Sequence, residues 1–285
     1  MPLKVITDST CDLPAQLVKD LGITVIPLKV LFGEEVYTEG VDITNQEFYS
    51  KMEEHKELPK TAQANPSEFV DEFNKHLRNG DEVLGIFISS AMSGTCANAR
   101  SARERLLQEF PEARIEIVDS YTNCMALGLQ VIAAAEAAKA GGSMEDALQA
   151  AADTRSRVHF YFVPETLEYL KKGGRIGTAS ALLGSILQIR PILTVDMEKG
   201  MTHLVEKTRG NAAAIRRMLE MLEEDYRKKG LKQLIVHHIN AADKGSRLRD
   251  TLAEKYQLPV GLCAIGPVIG LHTGLGTIGF VYCTY

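Results

Sequence analysis

The chain lacks the signatures of several common functions. Its five cysteines are odd in number and contain no C-x-x-C pair, so neither a disulfide framework nor a zinc site is written in them. No long run of Lys or Arg offsets the net charge of -5, which removes the general attraction that nucleic acid or an anionic surface would need. No H-x-x-x-H spacing or carboxylate cluster supports a metal, and the adjacent His237 and His238 face opposite sides of an expected strand, so they cannot share one ion. A G-x-x-x-x-G-K-[ST] phosphate loop is absent, and nucleotide hydrolysis has no visible machinery. The missing G-x-S-x-G elbow weakens a hydrolase of that fold. Gly274-Leu275-Gly276-Thr277-Ile278-Gly279 matches G-x-G-x-x-G, but six strand-like residues follow it and no helix does, so a dinucleotide fingerprint is set aside. The most apolar helical stretch, 125–140, is interrupted by Gln130, Glu136 and Lys139 and reads as a core helix, not a membrane span. Residues 1–8 lack the apolar core of a signal peptide. A reducing cytoplasm is the expected location.

What is present is an alternation of strands and helices long enough for two domains. Over 1–157 the pattern predicts strands at 4–7, 23–32, 83–88 and 114–118, with a short edge strand at 35–38. Helices are expected after Asp12 and Pro14, from the capping box Thr44-x-x-Glu47, from Asn65-Pro66-x-Glu68, and over 97–107, 123–140 and 143–155. Residues 60–64 read as a linker. This is an N-terminal α/β domain of three layers, a parallel sheet with helices on both faces. Over 158–285 the pattern changes. Strands at 159–163, 190–195, 201–207, 232–239, 260–265 and 280–285 and helices at 166–172, 181–188, 211–229 and 244–256 predict a C-terminal α+β domain with a mixed sheet.

The stretch of most interest is Ser89-Ser90-Ala91-Met92-Ser93-Gly94-Thr95-Cys96-Ala97-Asn98. It leaves an apolar strand and enters a helix, so it carries unpaired N–H groups and the positive end of the helix dipole. Such a turn suits a phosphate or carboxylate, although Ser and Thr there are also ordinary N-caps. Asp8-Ser9 and Asp119-Ser120 fall at other strand ends of the same sheet, where α/β domains bind ligands and where turn residues also collect. The glycine-dense segment 266–274, with His272 and Thr273, reads as a loop between two strands, made for tight turns or for close approach to a ligand. Lys171-Lys172-Gly173-Gly174-Arg175 is either a charge-matched helix C-cap or a cationic rim. Arg209, expected at the start of a helix, has the wrong sign for that place. A Ser93–His272–Asp8 triad can be drawn, but with seven histidines in the chain such sets arise by chance.

Taken together the motifs resemble the DegV family of bacterial fatty-acid-binding proteins. Thr7-Asp8-Ser9-Thr10-Cys11-Asp12-Leu13-Pro14 resembles its N-terminal signature. Tyr37-Thr38-Glu39-Gly40-Val41-Asp42, the 89–95 stretch, Val118-Asp119-Ser120, 169–176 and 266–279 follow in family order. The resemblance implies one long-chain fatty acid, such as palmitate, enclosed between two domains. Its carboxylate would be held by Thr61 and Ser93 of the Ser93-Gly94-Thr95 loop, with His272 and Thr273 nearby. It implies a lipid carrier without catalytic residues, metal or cofactor, which transports the lipid or presents it to a separate fatty acid kinase. Arg175 and Arg209 would then handle the head group or the partner. No nucleic acid is involved, and transient membrane contact is compatible with the role. The tunnel could draw on Met92, Ile86, Phe160, Phe162, Leu183, Ile186 and Ile265, each also fit to be plain core. Two departures stand out. Thr61-Ala62-Gln63-Ala64-Asn65 replaces the family's Thr-Ser-Gln-Pro-Ser, and Leu275 stands where a proline is usual. The alternative function is a serine acyl hydrolase using Ser93 and His272.

Overall fold

The computed structural model describes residues 2–55, 57–182 and 189–285. They form two compact units. The first comprises residues up to Thr44, Pro59–Ser156 and Met197–Gly200; the second comprises Asn45–Leu58, Arg157–Asp196 and Met201–Tyr285.

The chain starts with β1 (Leu3–Asp8), whose last four residues are buried, and a 3-10 turn at Ser9–Cys11. α1 (Ala15–Leu21) follows and stops at Gly22, whose φ of 64° places it in the left-handed region that glycine enters at little cost. The apolar run expected as one strand is broken in two, β2 (Thr24–Ile26) and β3 (Lys29–Phe32). Pro27 lies at the break and has no N–H to continue a ladder. β4 (Glu35–Thr38) is followed by α2 (Asn45–Glu54), which belongs to the second unit although the sequence pattern places it in the first. Residues 60–64, expected as a linker, begin with a strand, β5 (Lys60–Ala62), and β3, β4 and β5 make a small antiparallel sheet. α3 (Pro66–Arg78) opens with the expected capping box of Asn65 and Glu68.

β6 (Glu82–Phe87), α4 (Thr95–Glu109), β7 (Ile115–Asp119), α5 (Cys124–Lys139) and α6 (Met144–Arg157) complete this half of the chain. β2, β1, β6 and β7 line up in that order as a parallel sheet. One face carries a core of Val5, Leu84, Ile86, Leu127 and Val131 under α5. Each such side chain, fully buried, contributes roughly 1.5–3 kcal/mol. The other face is aromatic, with Phe69 of α3 edge-on to Phe87 at 5.3 Å. Phe87 also lies over Gly85, where a Cβ would collide with its ring, so a side chain at 85 is excluded by the aromatic core.

In the second unit β8 (Val158–Val163) leads to α7 (Glu168–Lys172) and a 3-10 segment at Gly177–Leu182. The helix expected over 181–188, with Leu183 and Ile186, lies outside the described residues apart from its first two. β9 (Ile189–Asp196) and β10 (Met201–Arg209) form the expected hairpin, and α8 (Asn211–Lys229) ends at Gly230. β11 (Leu231–His238), α9 (Ala242–Tyr256) and β12 (Gly261–Ala264) come next. The glycine-dense segment expected as a loop contains a helix, α10 (Pro267–Thr273), before β13 (Ile278–Thr284). The six-stranded sheet has the order β10-β9-β8-β13-β11-β12 and is mixed, with β11 and β12 parallel and the other pairs antiparallel. Ala214, Met218 and Leu222 of α8 and Leu252 and Tyr256 of α9 join a core with Leu234, Val236 and Phe280 of the sheet. Among the described residues no helix is long and apolar enough to cross a membrane.

Candidate functional site

In the first unit the 89–95 turn is held by the ends of three neighbouring strands. The Asp8 carboxylate, buried at the end of β1, accepts from Ile88 N at 2.8 Å and from Thr10 N at 3.0 Å and Thr10 Oγ1 at 2.5 Å. Asp119, at the end of β7, accepts from Ser90 N at 3.2 Å and from Tyr121 N at 2.9 Å. Ser89 N donates to Thr122 O at 2.9 Å. The acids that the sequence offers as crevice groups are therefore braces for the turn. Burial raises the Asp8 pKa, opposed by its bonds to Thr10 and Ile88. The neighbouring signature residue Ser9 accepts from Leu28 N at 3.0 Å and donates to Glu39, tying β1 to the Tyr37–Asp42 motif.

Within the turn, Ser93 N and Met92 N both donate to Ser89 O, at 3.1 and 3.0 Å. The hydroxyls of Ser93 and Thr95 are 2.8 Å apart, and Thr95 N donates to Ser93 Oγ at 3.3 Å. Gly94 caps α4, a helix of 15 residues, so the first-turn N–H groups of the helix open at this point. Ser93 and Gly94 are half-buried and Thr95 is buried. The residues just after β5 arrive beside them: Asn98 Nδ2 donates to Ala64 O at 2.8 Å, and the Gln63 side chain covers Gly94 so closely that a Cβ there would collide with its amide. Thr61, half-buried, stands two residues before Gln63 on β5, opposite Val30 of β3. The structure thus brings Gln63 and Ala64, just after β5, against the Ser93-Gly94-Thr95 turn, where an amide and a hydroxyl pair meet a helix N-terminus. Gln63 is the member that sequence reasoning missed. Its signal was the glycine at 94, which leaves room for an amide donor.

His272 and Thr273 belong to the second unit, at the end of α10. The His272 ring packs against Gly173 at the end of α7, where a Cβ would strike Nδ1. Gly274, with φ of 94°, lies under the Tyr169 ring in the same way. Tyr49 of α2 donates to Ile265 O at 2.7 Å and its hydroxyl fills the space over Gly270. Burial, with a smaller contribution from the positive charge of Arg175, lowers the His272 pKa to about 4, so this imidazole is neutral at pH 7. Arg175 donates from Nη1 to Gly173 O at 2.6 Å. Arg209 is the exposed last residue of β10, opposite Ile189, and directly precedes Gly210, the N-cap of α8, so its positive charge lies next to the positive end of that helix.

The expected tunnel residues divide. Ile86 is core beneath the parallel sheet. Met92 is buried, its sulfur accepting from Asn123 Nδ2 at 3.3 Å. Phe160 and Phe162 pack 5.3 Å apart, Phe160 meets the buried His237 edge-on at 5.4 Å, and Ile265 is buried at the entrance to α10. Among the described residues no group of three or more His, Cys, Asp and Glu side chains could hold a metal ion.

The family model described as "Uncharacterised protein, DegV family" matches residues 2–285. A DegV domain-containing protein of Clostridium acetobutylicum is 43% identical over 284 residues, covering 100% of this chain and 98% of that protein. Among solved structures, DegV from Bacillus subtilis, described as a fatty acid binding protein, is similar with a TM-score of 0.90 and 32% identity over 100% of both chains. A stearic acid-binding protein from Eubacterium ventriosum is similar with a TM-score of 0.89 and 26% identity, over 99% of this chain and 98% of that one. From end to end, this chain belongs to the DegV family.

Proposed function

We propose that the protein is a carrier for one long-chain fatty acid, such as palmitate, whose carboxylate is held by Thr61 and Ser93 with the Gly94 and Thr95 end of α4. The observation that carries this reading is the cluster itself. A serine–threonine hydroxyl pair and a helix N-terminus share one place in the first unit, braced from behind by Asp8 and Asp119 and covered by Gln63, and Thr61 lies on β5 two residues before Gln63. A carboxylate withdrawn from water needs such donors, because burying it unpaired is very costly. The acyl chain supplies the driving force, about 0.8 kcal/mol for each methylene removed from water. The B. subtilis and E. ventriosum proteins, described as fatty-acid-binding and stearic-acid-binding, support the ligand class.

The fatty acid would be transported in the cytoplasm or presented to a fatty acid kinase. In the second unit Arg175, next to a neutral His272, and the exposed Arg209 are the side chains proposed for an acyl phosphate or for the kinase, with Thr273 following His272 in sequence. Acyl-phosphate formation that requires the carrier, a bacterial fatty acid kinase and ATP together would support presentation. Product formed equally without the carrier would remove it. The serine acyl hydrolase has no observation in its favour. The Ser93 hydroxyl is engaged with Thr95 and the Asp8 carboxylate with Thr10 and Ile88. Delipidation followed by reloading tests the main reading: the chain should take up palmitate again, as read by mass spectrometry after extraction, with no hydrolysis of an acyl ester.

A further inference from the structure

The first unit holds a cavity of about 480 Å³ that contains none of the residues of the Thr61–Ser93 cluster. It lies at the edge of the parallel sheet, where β7 pairs with β6 on one side alone, and it is walled by Val118 of β7, Gln130 of α5 and residues of α6. Its size is within the roughly 300–1,000 Å³ of sites for small organic ligands.

Three features give the cavity a chemistry. Val118, Leu148 and Ala151 supply an apolar wall. Gln130 is 1% exposed, a degree of burial that a glutamine tolerates when its amide is bonded. Its Nε2 donates to Ser120 O at 3.2 Å and to Ala126 O at 3.1 Å. Two carbonyl acceptors fix which end of the amide is nitrogen, and they leave Oε1 as its remaining acceptor. Arg155 is the third feature. Its Cζ lies 4.8 Å from the Tyr121 ring centroid, and no carboxylate pairs with it among the described residues. Glu145, the acid on the cavity wall, is bonded to Arg114 instead. The guanidinium is thus oriented by an aromatic face and retains its donors.

We propose that this cavity binds a small organic anion with an apolar body and a hydrogen-bond donor at its far end. The anionic group meets Arg155, the body lies on Val118, Leu148 and Ala151, and the donor reaches Gln130 Oε1. Both polar groups are already held in place by the fold, so little ordering opposes binding. The site is independent of the fatty-acid reading.

The probe is 4-hydroxybenzoate, titrated into the full chain and followed by amide NMR shifts and calorimetry. Saturable binding is expected, with shifts at Leu148, Ala151 and the Gln130 side-chain amide. Arg155→Met keeps the stem and removes the charge, and should weaken binding by about tenfold or more. Ala152→Phe, at the exposed lip of the cavity, should block it while leaving the thermal melt unchanged. The uncharged 4-hydroxybenzyl alcohol should bind much more weakly than the acid. A response that never saturates, or an affinity that neither variant changes, would overturn the proposal.

Discussion

Ser93 and Thr61 are asked to do the same work with hydroxyls from two different places, the turn before α4 and the strand β5. A hydrogen bond to a charged group is worth about 1.5–3 kcal/mol, so Ser93→Ala and Thr61→Val should each weaken fatty-acid affinity by about tenfold or more. Displacement of a fluorescent fatty acid would read this, with little change in thermal stability. Gly94→Ala acts differently. It removes no donor, but its Cβ would collide with Gln63, so the amide must move off the turn. Weaker binding with near-normal stability is expected, and a crystal structure of the variant should show Gln63 displaced. Ser93, Gly94 and Thr95 are legible in the sequence because hydroxyls beside a glycine at a strand end are a local pattern, whereas Thr61 is pointed to by the family resemblance alone. Gln63 is not legible, because its position depends on a glycine 31 residues away.

At the scale of elements, the turn before α4 depends on its braces. Asp8→Ala would leave Ile88 N and Thr10 N without their acceptor at a buried site, at a cost of about 1–3 kcal/mol for each buried group left unsatisfied. Urea denaturation should show that loss, whereas the exposed Asp20→Ala should stay within about 0.5 kcal/mol of the parent. Strands and helices with a strong period are legible from sequence: the capping box before α3, the whole extent of α8 and the β9–β10 hairpin all occur as their patterns predict. The split of one expected strand into β2 and β3 is local, at Pro27, but β5 and α10 differ because of contact across long sequence distance. β5 is a strand because β3 pairs with it. α10 is a helix despite its glycines because Pro267 starts it, its apolar face is buried, and Gly270 makes room for Tyr49, 221 residues earlier.

The whole molecule adds a dependence on pH. His237 is buried with neither ring nitrogen bonded among the described residues, and burial, helped by His238, lowers its pKa to about 3. His272 is lowered to about 4. In the unfolded chain both would take up protons near pH 6.5. Between that value and the folded values the unfolded state binds more protons, so stability rises with pH in this window and falls on acidification. Each group contributes up to about 1.4 kcal/mol per pH unit, and neither contributes above the window. Denaturation at pH 7 and pH 5 should therefore show a loss at the lower value, smaller in His237→Leu. An equal loss in parent and variant would show that His237 has no part in it. Family membership is legible in the order of short motifs along the chain, but the grouping of α2 with the second unit is not, since nothing local in 45–54 names its partner.

The central claim is that Thr61 and Ser93 hold a fatty-acid carboxylate. Its most direct test is the affinity of delipidated protein for palmitate, measured on the parent and on a folded Thr61→Val/Ser93→Ala double variant, with methyl palmitate as the uncharged control. The account predicts tight binding by the parent, a loss of about a hundredfold or more in the double variant, and little difference between parent and variant for the ester. A parent that retains no palmitate, or a double variant that binds it as tightly as the parent, would contradict it.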